Sequence, residues 1–298
     1  MNYRKLGNSE LKISEVSFGC MSLEEDVDIF NKLIHLAFDR GVNYFDTADI
    51  YQNGQNEVML GNAVKDFRDK VIIGTKVGNQ PRTDGNGWDW NPSKEYIIQS
   101  VEESLRRLQT DYIDLYQLHG GTIDDPIDET IDAFEKLKKE GKIRYYGISS
   151  IRPNVIREYV KRGNISSVML QYSLLDRRSE QSCLHLLQEN KIGVLTRGSI
   201  AKGLLAGKSP TDYLSYTTSE VKKTIDLVKN LSGDNRSVCQ TAIQFVLENS
   251  SVTSSVIGIR TKEQLLECAL VSNLKRLSGE ELVLLQNNLK PNQYVNHL

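Results

Sequence analysis

Residues 113–119 read IDLYQLH, residues 128–140 read DETIDAFEKLKKE, and residues 143–149 read IRYYGIS. The first and third runs are short, apolar and rich in β-branched and aromatic residues, which predicts two strands. Between them Ile131, Phe134, Leu137 and Lys138 follow the three-to-four spacing of a helix face. Gly141 stands where a glycine ends such a helix, just past its last turn. A strand, a helix and a second strand in this order predict parallel pairing through a right-handed crossover.

Outward from this unit the same alternation repeats along the chain. Strands are predicted at Val16–Gly19, Tyr44–Asp46, Val71–Thr75, Ile113–His119, Ile143–Ser149, Ser167–Gln171, Ile192–Thr196 and Ser254–Ile257. Helices are predicted near 26–40, 56–66, 94–108, 128–140, 153–162, 179–190, 236–248 and 261–271, with a last helical pattern near 278–289. Asn91-Pro92-Ser93 supplies a cap for the helix starting near Lys94. The N-terminus reads as a hairpin, with Tyr3–Leu6 and Leu11–Ile13 flanking the turn formers Gly7-Asn8-Ser9.

An open doubly wound sheet and a closed barrel both satisfy the alternation. The count of eight and the length of 298 residues favour an α/β fold of the (β/α)8 (TIM) barrel type, with the hairpin preceding it. No linker or composition break divides residues 1–298, so one domain is expected. The longer connections, 77–92, 118–127 and 197–218, all follow strands. In a barrel they lie at the C-terminal rim, where such folds place their chemistry.

Composition narrows the partners. With 37 Lys+Arg against 39 Asp+Glu, the net charge of −2 gives no reason to expect nucleic acid or an anionic membrane surface. The first fifteen residues are polar and lack the apolar core of a signal peptide, and no apolar run approaches a membrane span. Cys20, Cys183, Cys239 and Cys268 lie far apart, with no C-x-x-C and no His at metal-ligand spacing. Reduced thiols, a cytoplasmic location, no bound metal and no obligate protein partner are expected.

Nucleotide and hydrolase motifs are missing. No G-x-G-x-x-G follows the first strand. Gly203 to Ser209 resembles a phosphate loop, but three residues separate its glycines where four are required. There is no G-x-S-x-G and no H-E-x-x-H.

Four polar residues gather instead at the ends of three successive strands. Asp46 closes one strand, Tyr51 follows it in a loop, Lys76 closes the next and His119 the third. Singly, each has a bland reading as a cap, a rim charge or a core residue. Together they suit protonation of a carbonyl oxygen. A phenol needs help to act as an acid near neutrality, a nearby ammonium lowers its pKa, and a carboxylate keeps that ammonium charged. An imidazole beside the phenol orients the oxygen. The set supplies no hydride, so it implies a nicotinamide cofactor.

At these residues the chain resembles the aldo-keto reductase superfamily. The resemblance rests on Phe45-Asp46-Thr47-Ala48-Asp49-Ile50-Tyr51 and Asp111 to His119. Lys5-Leu6-Gly7, Gly74-Thr75-Lys76, Gly147-Ile148-Ser149, Gln171-Tyr172-Ser173 and Lys202-Gly203-Leu204-Leu205 extend it through nearly the whole chain. It implies a barrel whose bottom is closed by the hairpin, NADPH bound at the top (NADH being possible), and Tyr51 as proton donor with Lys76, Asp46 and His119. It further implies cofactor contacts from Gly19, Cys20, Met21, Asp46, Ser149, Ser150, Gln171 and Arg197, with Gly203 and Leu204 crossing the pyrophosphate. Gly258, Arg260 and Gln264 fall in the segment resembling the family's 2′-phosphate site, and Arg260 at a helix entrance suits a phosphate. Three positions depart from the pattern. Ser150 stands where Asn is frequent, Arg197 where a Tyr stacks on nicotinamide, and Cys268 where an Asn lies near adenine.

The loop Thr83–Trp90 carries Trp88 and Trp90, which either wall a substrate pocket together with Tyr51 and His119 or pack the loop itself. The few residues beyond the last helical pattern suggest an open pocket. The leading reading is an NADPH-dependent reductase of small-molecule aldehydes or ketones. A cofactor-binding regulatory subunit with little turnover, and a different barrel enzyme, are the alternatives.

Overall fold

A computed structural model describes residues 1–23 and 25–298. The N-terminal hairpin pairs β1 (Tyr3–Lys5) with β2 (Lys12–Ser14). The barrel strands follow as β3 (Val16–Gly19), β4 (Tyr44–Asp46) and β5 (Ile72–Val77). A second hairpin, β6 (Asn79–Pro81) and β7 (Trp88–Trp90), stands outside the barrel. The barrel resumes with β8 (Ile113–Leu118), β9 (Ile143–Ser149), β10 (Ser167–Gln171), β11 (Gly193–Arg197) and β12 (Val252–Gly258). These eight strands pair in parallel and close on themselves, β12 lying against β3.

Among the described residues ten helices accompany them: α1 (Val27–Asp39), α2 (Gln55–Val64), α3 (Lys94–Leu108), α4 (Ile127–Lys139), α5 (Pro153–Arg162), α6 (Cys183–Glu189), α7 (Thr218–Ser232), α8 (Val238–Glu248), α9 (Lys262–Ala269) and α10 (Gly279–Asn287). Ser93 caps α3 by accepting from Tyr96 N, and Gly141 follows α4 with φ of +77°. The (β/α)8 barrel is thus the architecture, and its predicted caps are in place.

The hairpin seals the barrel floor. Leu6, Leu11 and Ile13 pack into an inner cluster with Tyr44, Leu115, Met169, Leu195 and Val256. Each fully buried Leu or Ile of this kind contributes about 1.5–3 kcal/mol. The turn residue Gly7 has φ of +54°, and a Cβ on it would lie 2.4 Å from Gly193 N. Only a residue without a side chain fits that contact.

Several boundaries differ from the sequence reading. β5 runs on through Lys76 and Val77, because both pair with Gln117 and Leu118 of β8. β11 includes Arg197, which pairs with Gln171. His119 lies one residue past β8, although its N–H still donates to Val77 O at 2.7 Å. The 77–92 connection is a hairpin, and α7 occupies a stretch that carries no predicted helix.

The last residues run along the rim. Asn292 Oδ1 accepts from Arg177 N, Tyr294 N donates to Gln181 Oε1, and Asn154 N donates to His297 O. All four cysteines are free and buried. Among the described residues no helix is long and apolar enough to cross a membrane.

Candidate active site

The ends of β4, β5 and β8 are neighbours, and they bring the four predicted residues together. Lys76 is wholly buried. Its Nζ donates to Asp46 Oδ1 at 2.5 Å, to Thr47 O at 2.6 Å and to Tyr51 OH at 3.3 Å. The ammonium also lies 4.9 Å from the centre of the Tyr51 ring. The second oxygen of Asp46 accepts from Tyr44 OH at 3.3 Å. Gly74 makes room for that hydroxyl, since a Cβ there would sit 2.1 Å from it. His119 meets Tyr51 edge-on, with ring centres 5.8 Å apart.

Electrostatics assigns the charges. Burial disfavours the Lys76 ammonium, but Asp46 and Tyr51 outweigh it and hold Lys76 protonated above its ordinary value. Burial pushes the Tyr51 phenol above its ordinary value, and Lys76 pulls it only part of the way back. The expectation of a lowered phenol pKa is therefore corrected: desolvation outweighs the cation. Burial, followed by Lys76 and Arg197, depresses His119 to about 3. A neutral imidazole and a protonated phenol thus face one another, with a cation behind the phenol.

The predicted cofactor residues line the same rim. Gly19 and Gly258 pair across β3 and β12, and Gly19 pairs with Asp46. Cys20 is buried in the turn after β3, its thiol held well above the ordinary range by burial, while Met21 is exposed. Ser149 and Ser150 are buried at the end of β9, and Ser150 N donates to Met169 O. Gln171 lies beside Arg197, and its Oε1 already accepts from Arg178 at 3.2 Å. Gly203 and Leu204 sit in a kinked 3-10 turn, Ala201–Ala206, where Lys202 and Gly203 have positive φ. This turn borders a cavity of about 440 Å³ lined by Gln171, Lys202, Leu204, Lys208, Ser209 and Tyr213.

Arg260 is exposed just ahead of α9. Gln264 Oε1 accepts from Arg260 N at 2.9 Å, so this side chain folds back onto the loop. Trp90 lies against Gly78 and Gly120 beside His119 and donates to Asp125 at 2.9 Å, whereas Trp88 is exposed at the hairpin tip. The cavity's two lysines outnumber its one carboxylate, Asp212, which is already engaged by Thr218, and together with an arginine at a helix entrance they suit a dinucleotide phosphate in donors and charge.

Sequence reasoning missed several supporting residues. Tyr44 was within its reach, because strand alternation puts it on the same face as Asp46. Asn56 bridges Thr47 Oγ1 and Cys20 O, and Arg178 reaches Gln171; neither contact has a local sequence signal.

This barrel, with its rim constellation, can be compared with known proteins. The family model described as "Aldo/keto reductase family" matches residues 15–288, and the chain belongs to that family. It is 48% identical to the uncharacterized oxidoreductase YqkF of Bacillus subtilis, over 100% of this chain and 99% of that protein. It is 29% identical to the NADH-specific methylglyoxal reductase of Escherichia coli, over 94% of this chain and 96% of that protein. The holo form of aldo-keto reductase AKR11C1 from Bacillus halodurans superposes with a TM-score of 0.94 at 47% identity, covering 100% of this chain and 99% of that one. Membership marks the chain as an oxidoreductase acting on carbonyls, in a family that works with nicotinamide cofactors.

Proposed function

We propose that this protein reduces aldehydes or ketones to alcohols with NADPH, Tyr51 protonating the carbonyl oxygen. The observation that carries the reading is the buried Lys76 ammonium, bonded at once to Asp46 and to the Tyr51 hydroxyl. When bound, the cofactor supplies the hydride. Tyr51 holds the proton to be delivered. Lys76 stabilises the phenolate left behind, and Asp46 and Thr47 O keep that ammonium in place. The neutral His119 offers a hydrogen bond that orients the substrate oxygen beside Tyr51.

Lys202, Lys208 and Arg260 are the residues we assign to the cofactor's phosphates, with Gly19, Met21, Ser149, Ser150, Gln171, Arg197, Gly203, Leu204, Gly258 and Gln264 shaping its seat. This positive charge favours NADPH, and a similar protein described as NADH-specific makes NADH the competitor to measure. We assign Trp90 to the substrate wall beside His119, with Trp88 at its outer edge. Four free thiols fit a reducing, cytoplasmic setting in which residues 1–298 work as one catalytic unit.

The test is Tyr51→Phe. The variant is expected to bind NADPH as the parent does, by fluorescence titration, and to lose turnover by roughly 10²–10⁴-fold, the usual scale for a general acid. Full turnover in a folded Tyr51→Phe protein would overturn the assignment. Parallel titrations with NADPH and NADH decide the cofactor: NADPH is expected to bind more tightly, and Arg260→Ala to narrow the gap.

A further inference from the structure

The turn that carries Tyr51 is held only in part by its own backbone, where Asn53 N donates to Ile50 O at 3.2 Å and Gln55 N donates to Gln52 O. Gln52 (φ 51°, ψ 40°), Asn53 (φ 52°, ψ 42°) and Gly54 (φ 86°) are three consecutive residues in the left-handed region. Two of them have side chains, for which this conformation is strained, so the surroundings must over-determine it.

One set of ties runs toward β3. Gln52 Nε2 donates to Leu23 O at 2.7 Å, and Asn56 Nδ2 donates to Cys20 O at 3.1 Å. The other side is held by an ion pair that has no part in the chemistry assigned above. Glu57, in the first turn of α2, is fully buried. Its Oε1 accepts from Thr75 Oγ1 at 2.6 Å, and its Oε2 accepts from Arg107 Nε at 2.6 Å. Thr75 immediately precedes Lys76 on β5. Arg107, from α3, lays its side chain on Gly54, where a Cβ would come 2.8 Å from Arg107 Cδ. A single carboxylate therefore ties the strand bearing Lys76 to the guanidinium that covers the turn bearing Tyr51.

We propose that Glu57 and Arg107 are a positioning pair that fixes the Tyr51 hydroxyl against Lys76. The inference rests on the proposed role of Tyr51. A buried ion pair is weak evidence for stability, because packed apolar groups often do as well; its geometric definition is what an apolar pair would not reproduce. The charged and titratable groups facing Glu57 are Asp49 from the loop after β4, Arg107 on α3 and Tyr116 on β8, while Lys76 on β5 and Tyr96 on α3 face Asp49 in turn. Arg107 is the cation bonded to it directly.

The pair is tested with Glu57→Gln and Arg107→Met, and with Arg107→Lys as the conservative variant. Glu57→Gln and Arg107→Met are each expected to lower kcat about tenfold or more, the scale of a small misplacement of a reacting group, with substrate KM and NADPH Kd within about twofold. The phenol, moved away from its cation, should ionise at higher pH. Ultraviolet difference titration against Tyr51→Phe reads that shift without cofactor, and the alkaline limb of the kcat profile should follow it. Arg107→Lys should recover most of the loss. Unchanged kcat and an unmoved phenol titration in folded variants would sink the pair while leaving the role of Tyr51 intact. So would equal losses in kcat, KM and cofactor binding that track a lowered Tm. Should Glu57→Gln not fold, the two Arg107 variants decide by the same readouts. An active Tyr51→Phe protein would instead remove the role of Tyr51 on which the pair depends.

Discussion

His119 and Asp49 titrate in opposite senses, and both do so because they are buried. His119 is depressed from 6.5 to about 3, by burial first and then by Lys76 and Arg197. Between those values the unfolded chain binds the extra proton, so stability rises with pH. Asp49 is raised from 3.8 to about 8, by burial first and then by Glu57. Between those values the folded chain binds the extra proton, so stability falls as pH rises. The two slopes offset each other where the windows overlap, and single substitutions should unmask them. Relative to the parent, His119→Gln should lose stability with rising pH between 3 and 6.5, by up to about 1.4 kcal/mol per unit. Asp49→Asn should gain stability with rising pH between 3.8 and 8, at a similar maximal slope. Urea midpoints over a pH series measure both. Parallel curves for parent and variant would show that the residue holds its ordinary pKa.

At the scale of elements, sequence pattern was enough where a buried face was made of apolar residues. The strands bearing Asp46 and Lys76 and the one ending beside His119 were legible this way, as were the helices capped by Ser93 and ended at Gly141. It failed for α7, whose buried stripe is Val221, Thr224, Val228 and Ser232. Half of that stripe is hydroxyl-bearing, so the apolar period fades. Ser232 is satisfied by Val228 O and Thr241, a compensation visible only in three dimensions. The Glu57–Arg107 pair was illegible for another reason: fifty positions separate its members. Glycines allow a sharper element-level test. Gly7 is both left-handed and sterically closed, whereas Gly141 is left-handed with nothing within 4 Å of a Cβ. Gly141→Ala should therefore cost about 1 kcal/mol, the conformational part alone. Gly7→Ala should cost about 2–4 kcal/mol, because the hairpin must also lift off Gly193. Equal urea midpoints for the two variants would show that the hairpin gives way freely.

For the whole molecule, the closed sheet leaves no edge in the barrel, but its floor depends on fourteen residues that are not part of it. Deleting residues 1–14 would uncover Tyr44, Leu115, Met169, Leu195 and Val256 together. The truncated chain is expected to bind a hydrophobic dye and to lose near-ultraviolet dichroism while retaining helix signal. A truncated protein with native near-ultraviolet dichroism would show that the barrel floor closes without its plug.

The four buried thiols give this molecule an internal clock. Cys20 lies in the turn after β3, Cys183 in α6, Cys239 in α8 and Cys268 in α9. A thiol shut away from solvent is alkylated only when its surroundings open, so each reaction rate reports one local opening. Mass spectrometry of peptides after timed alkylation would then order those openings around the barrel, with no label introduced. Cys239 and Cys268 lie on α8 and α9, which pack against one another. They should react in step, marking α8 and α9 as a pair that separates together.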